Sequence, residues 1–176
     1  MSTRVNLKDS TRKDVISGPD NWYKIVLADG RELSITPGLD GPRQQYAFVS
    51  VKGAGQGMVV RYQRYKNDNR LNQGWPIGEK GYLRCWQNVV GNMSVNVGST
   101  IQETNLFVSS LEDYCYGLQA EQLDDGRVSL YAYDREGKLR GLRVGQQAVS
   151  LVSDVFPIGL DCAFVKVSNA ISKGNF

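Results

Sequence analysis

Hydrophobic and polar residues alternate with period two through most of this chain, and turn-forming residues interrupt the alternation every few positions. Met93-Ser94-Val95-Asn96-Val97 places Met and Val on one face and Ser and Asn on the other. Arg127-Val128-Ser129-Leu130-Tyr131-Ala132-Tyr133 sets Val, Leu and Ala against Arg, Ser and two Tyr. A strand with one buried face reads this way, whereas a helix repeats every 3.6 residues. The pattern predicts strands over residues 23–28, 32–36, 45–52, 57–66, 81–90, 92–98, 106–109, 127–134, 138–144, 147–153 and 161–168. Asp29-Gly30 and Arg135-Glu136-Gly137 supply hairpin turns, because glycine accepts the positive φ that tight turns demand.

One stretch has a different period. Leu111, Tyr114, Cys115 and Leu118 fall at i, i+3, i+4 and i+7, and Ser109 with Glu112 has capping-box spacing. This predicts at most one short helix near residues 110–123. The whole pattern predicts an all-β, single-domain antiparallel β-sandwich or jelly roll, with a β-barrel or β-trefoil as the alternative. The trefoil ranks lower because it needs three equal repeats. Residues 65–71 and 133–139 share Tyr-x4-Arg/Lys-Leu, and no third copy lies at a matching interval. Residues 1–20 read as a polar N-terminal arm, 21–170 as the β domain and 171–176 as a tail.

The 176-residue length suits one domain, and 41% hydrophobic with 22% charged residues is ordinary for a globular chain. The polar N-terminus lacks the apolar stretch of a secretory signal, and no apolar run approaches the roughly 20 residues of a membrane helix. The expectation is a protein of a cytoplasm, its own cell's or a host's, with no membrane partner. Three scattered cysteines read as buried free thiols rather than as a disulfide framework or zinc cluster.

The chain contains no histidine, which removes the commonest general base, the commonest metal ligand and every Ser/His or Cys/His nucleophile pair. Gly53-x-Gly55-x-Gly57 follows a predicted strand, but a strand-like segment comes next rather than the helix whose N-terminus would meet a pyrophosphate. Glu112-Asp113 and Asp124-Asp125 are sequence neighbours, whereas acid–base pairs face each other across a cleft. The sequence therefore points to no catalytic residue, no metal and no cofactor.

The candidate chemistry is recognition. Asn72-Gln73-Gly74-Trp75-Pro76 is a loop by its Gly and Pro content, and an exposed indole beside amides can stack on a sugar ring while the amides bond its hydroxyls. Asn72, Gln73 and Trp75, joined by Tyr131 and Tyr133, form the candidate ligand site of a lectin-like, non-enzymatic binding protein. Charge is segregated: residues 61–84 carry Arg61, Arg64, Lys66, Arg70, Lys80 and Arg84 against Asp68 and Glu79, and residues 103–125 are acidic. With the basic arm, these blocks suggest the second reading, a self-assembling structural subunit of a viral capsid or phage tail. A histidine-independent enzyme ranks third. The expected partners are carbohydrate or copies of the chain in a homo-oligomer. The net charge of +3 gives only weak support for nucleic acid.

Overall fold

The computed structural model describes residues 5–37, 46–66, 68, 70–87, 93–99, 105–109, 116–146, 148–152 and 156–168. Among the described residues twelve strands appear in chain order. They are β1 (Trp22–Leu27), β2 (Glu32–Pro37), β3 (Tyr46–Lys52), β4 (Val59–Gln63), β5 (Tyr82–Gln87) and β6 (Met93–Ser99). They continue with β7 (Leu106–Ser109), β8 (Leu118–Gln122), β9 (Val128–Tyr133), β10 (Leu139–Val144), β11 (Val149–Val152) and β12 (Leu160–Val167). Eleven coincide within a few residues with the strands predicted from alternation.

The exception is β8. Residues 110–115 of the expected helix lie outside the described residues, but Leu118–Gln122 is strand, paired along its length with β9. Gly117 takes φ +94°, and a Cβ there would lie 2.6 Å from the Lys80 side chain. The left-handed glycine turns the chain into a strand, and period two resumes: Leu118 and Ala120 are buried, Gln119 and Glu121 partly exposed.

The pairings close a ring. β1 runs antiparallel to β12 from Trp22↔Val167 to Leu27↔Cys162 and meets β4 at Tyr23↔Val60. β4 pairs with β5, Gly81 just before β5 bridges Leu118 of β8, β8 pairs with β9, and β9 with β12. Six strands thus form a barrel. The others make three hairpins, β2–β3, β6–β7 and β10–β11, joined to one another by β3–β7 pairing and the Asn105↔Ser150 bridge. Three successive strand–hairpin–strand units around one barrel make a β-trefoil-like fold. The sandwich and jelly roll expectations give way to it, because the sheet closes on itself instead of stacking two open faces.

Inward residues of all six barrel strands share one core. Tyr23, Ile25, Val60, Tyr62, Leu83, Cys85, Leu118, Val128, Leu130, Cys162 and Phe164 are each at most 1% exposed. Burial pushes the thiols of Cys85 and Cys162 up to about 12, so both remain protonated packing groups. Cys115 lies outside the described residues.

The described part of the expected arm is packed into this domain. Leu7 and Val15 are fully buried. Leu7 N–H donates to the Trp75 carbonyl (2.7 Å), Val15 N–H to the Leu7 carbonyl (2.8 Å), and Ser10 N–H to the Phe164 carbonyl (2.9 Å). Asp9, 1% exposed, accepts from Thr11 N–H (2.8 Å), the Thr11 hydroxyl (2.7 Å) and Lys13 N–H (3.1 Å), which closes the bend between the two halves of the segment. Two well-spaced apolar residues suffice to dock a segment that is otherwise polar.

The glycine-rich stretch after β3 wraps a carboxylate. Glu32 accepts from Gly55 N–H (2.7 Å) and Gly57 N–H (3.1 Å) and pairs with Lys24 Nζ (3.0 Å). A Cβ on Gly57 would fall 2.5 Å from the carboxylate, so the glycine is needed for close approach. Burial pushes the Glu32 carboxyl upward, but the two N–H groups and Lys24 outweigh it and hold the group below its ordinary 4.5. A carboxyl lowered on folding stabilises fully above its unfolded value, and that contribution is lost as pH falls through the folded one. Glu32→Gln should cost about 1–3 kcal/mol at neutral pH. In urea titrations from pH 7 to pH 3 its acid limb should be flatter than that of the unsubstituted protein.

Candidate functional site

The connection between β4 and β5, residues 64–81, is longer than the roughly 15 residues above which a loop without its own strands or helices is usually functional. Its second half is anchored inside the protein. Trp75 is fully buried, its indole stacked on Tyr62 (centroids 5.0 Å apart, planes 6° apart) and edge-on to Phe164 (5.9 Å, 74°). The indole N–H donates to the Glu79 carbonyl (2.9 Å). Gly81 leaves room for it: a Cβ there would sit 2.7 Å from the indole and 2.8 Å from Tyr62. Burial raises the Tyr62 hydroxyl well above its ordinary value.

The first half is tied down by one residue of the N-terminal segment. The Ser17 hydroxyl donates to the Arg70 carbonyl (2.8 Å) and accepts from Gln73 N–H (2.9 Å). Ser17 N–H donates to the Gln73 carbonyl (2.9 Å), and Asn72 N–H donates to the Ser17 carbonyl (3.0 Å). Asn21 Nδ2 reaches the same Ser17 carbonyl (2.7 Å). Asn72 takes φ +56°, a left-handed conformation that asparagine tolerates better than most residues, and its carbonyl neighbours are thereby turned toward Ser17.

Between these anchors the tip is exposed and cationic. Tyr65, 51% exposed, has the Arg64 and Arg70 guanidiniums over its ring at 5.6 and 5.2 Å. Lys66 Nζ lies 5.9 Å from the Tyr82 ring centre, and Leu71 is 59% exposed. Arg70 Nε donates to Asp68 (3.1 Å), and that hydrogen bond, with a second from Arg70 N–H, holds the Asp68 carboxyl below the usual range. Asp68 N–H closes a turn onto the Tyr65 carbonyl (3.2 Å), and Gln63 Nε2 holds the Asp68 carbonyl (3.1 Å). Asn67 and Asn69 lie outside the described residues.

The residues expected to bind a ligand do not converge. Asn72 is exposed and Gln73 half-buried in the braced loop, but Trp75 is core and offers no face to a sugar. Glycine and proline correctly mark a loop there; the barrel's need for filling decides where the indole goes. Tyr131 and Tyr133 belong to another cluster: a Cβ on Gly159 would touch the Tyr131 ring, and Tyr133 lies under Lys80 Nζ (4.6 Å) and donates to Gln119 Oε1 (2.6 Å). The exposed polar groups that the structure does bring together are the loop cations Arg64, Lys66 and Arg70, braced by Ser17. The cations belong to the basic block at 61–84, and the structure sets the exposed Tyr65 and Leu71 beside them.

No protein-family model matches the chain, and no curated protein sequence matches it. Solved structures do. The double-headed arrowhead protease inhibitor A, solved with two trypsins, superposes with a TM-score of 0.62 at 16% identity over 91% of this chain and 98% of that one. The soybean trypsin inhibitor in complex with porcine pancreatic trypsin gives 0.63 at 12% identity, over 93% and 100%. The water-soluble chlorophyll protein of Brassica oleracea var. Botrytis, with chlorophyll b, gives 0.65 at 14% identity, over 94% and 100%. These likenesses establish a shared all-β fold, one found in non-enzymatic binding proteins. They overturn the expected partners: the molecules named with these neighbours are proteases and chlorophyll, neither carbohydrate nor further copies of the same chain.

Trp75→Ala should cost about 3–5 kcal/mol, because it empties the stack between Tyr62 and Phe164. The urea midpoint reads this directly, and an unchanged midpoint would place the indole outside the core.

Proposed function

We propose that this chain is a non-enzymatic protein-binding module that presents the tip of the β4–β5 loop to the cleft of a partner protein, and that the partner is a trypsin-like serine protease. The observation that carries the reading is the Ser17 brace: an exposed, cationic loop is held from behind by hydrogen bonds to residues 70, 72 and 73. A loop already ordered loses little entropy on binding, and that saving appears as affinity. Arg64, Lys66 and Arg70 offer three long cations to a primary pocket that carries a buried carboxylate, as trypsin's does. The fold shared with inhibitors solved on trypsin supports the same reading.

The test is a titration of bovine trypsin with the purified chain, read as residual activity on a small chromogenic substrate. Dose-dependent inhibition is expected. The triple variant Arg64→Ala/Lys66→Ala/Arg70→Ala should weaken it by roughly 30-fold or more, the equivalent of one interface hot spot. No inhibition at micromolar concentrations would remove the protease class, and equal inhibition by the triple variant would remove the loop.

Ser17→Ala separates bracing from contact. It should leave the chain folded, weaken inhibition, and speed trypsin cleavage after the loop cations as read by mass spectrometry, because an unbraced loop opens more often. An unchanged cleavage rate would show that Ser17 does not control the loop.

A further inference from the structure

Beside the braced loop lies a groove lined by Gly18, Pro19, Arg61, Gln63, Asp68 and Leu71. Arg61 sits on the face of β4 opposite the core residues Val60 and Tyr62 and is half-buried. Its guanidinium lies over the Trp22 ring at 5.6 Å, and the Trp22 N–H is fixed on the Pro19 carbonyl (2.8 Å), so the cation rests on a rigid platform. Yet among the described residues Arg61 has no acceptor: its Nε is enclosed and makes no hydrogen bond. The acid nearest in the groove, Asp68, is committed to Arg70.

Directly across the ladder from Arg61 is Arg84. Like charges at opposed positions destabilise a sheet. Burial, then the Arg84 charge, lowers the Arg61 pKa, which is the mark of a cation held where its charge is unwelcome until something neutralises it. The Gln63 Oε1 in the same groove is also enclosed without a donor.

We infer that the groove beside the β4–β5 loop is a carboxylate subsite in which Arg61, lying over Trp22 and facing Arg84, grips an acidic side chain of the partner protein. The inference rests on the protein-binding reading above and adds a second, charge-specific contact next to the loop. A planar guanidinium offers two parallel N–H groups to one carboxylate, a geometry that a lysine ammonium lacks. The carboxylate would meet the Arg61 donors and relieve the Arg61–Arg84 opposition in one step.

The test reads the groove without any protease, so it stands apart from the fate of the inhibition assay. Binding of a hexaglutamate peptide is measured by isothermal titration at low ionic strength, with sodium sulfate at matched ionic strength as a second probe. Hexaglutamate binding is expected, weakened about tenfold or more by Arg61→Gln, the loss of one charge-assisted hydrogen-bonded contact. Arg61→Lys, which keeps the charge and the stem, should lose most of the same affinity. Arg143→Gln, an exposed cation on β10, should change it little. In the absence of peptide, Arg61→Gln should melt at or above the unsubstituted protein at low salt, and the difference should shrink as salt screens the opposed charges. Equal losses for Arg61→Gln and Arg143→Gln, full affinity in Arg61→Lys, or binding of sulfate without hexaglutamate would each overturn the inference.

Discussion

The Trp75 indole, buried where the barrel needs to be filled, is the constraint on which the rest of the structure depends. A ring of six strands leaves an interior that its own inward side chains must fill to native density. Tyr62, Leu118 and Phe164 supply part of that volume, and the connection between β4 and β5 supplies the rest by sending its own aromatic ring inward. Residues 74 and 76 bridge Ile16 and Asn6 on either side of the indole, so the N-terminal segment is fixed by the same event. Through Ser17 that segment then holds the first half of the loop. Core packing, terminal docking and loop order are thus one chain of cause.

The strands were legible in the sequence because alternation is a local signal. It says which face of a strand is buried and is silent on which strand lies beside it. Barrel closure rests on a single pair, Tyr23↔Val60, and on the bridge Gly81↔Leu118, and neither has a local signature. The threefold plan was hidden for a related reason. The three units share geometry without sharing residues: the barrel strands that open them present Tyr23 and Ile25, then Leu83 and Cys85, then Val128 and Leu130 to the core. Any apolar residue of suitable volume satisfies such a position. β8 was misread because the apolar spacing that ends at Leu118 also fits a helix face, and only the left-handed backbone at Gly117 decides against it. Of the candidate site, Asn72 and Gln73 fall in the braced loop, while Trp75 misled because a Pro/Gly loop was equated with exposure.

Charge follows the same division between what is local and what is not. Several ion pairs form within a few residues: Lys8 with Asp14, Arg31 with Asp29, Arg70 with Asp68, and Arg140 with Asp134. Others cross strands, as Lys24 meets Glu32 and Arg127 meets Asp161. The exposed pairs among these, such as Arg31 with Asp29, add little stability, whereas the largely buried Lys24–Glu32 pair belongs to the carboxylate cradle described above. The basic block on β4 and β5 follows a different rule. Arg61 and Arg84 oppose each other, and in the adjoining loop Arg64 and Arg70 lie over Tyr65 and Lys66 beside Tyr82, Arg70 also pairing with Asp68. Aromatic faces fix the position of a cation without cancelling its charge, so the patch keeps a positive field at its surface.

Burial keeps the thiols and the phenol of the core in their neutral forms. A nucleophile must be ionised, or made so by a neighbouring base, at the moment it attacks. Here burial pushes the thiols of Cys85 and Cys162 up to about 12 and raises the Tyr62 hydroxyl as well. Those side chains serve the packing of the core. The same packing orders the exposed loop. A long connection free to sample many conformations would lose about 1–2 kcal/mol for every residue it ordered on meeting a partner. Folding has already met that cost for the loop, since the burial that orders Trp75 and the hydrogen bonds of Ser17 are in place before any partner arrives.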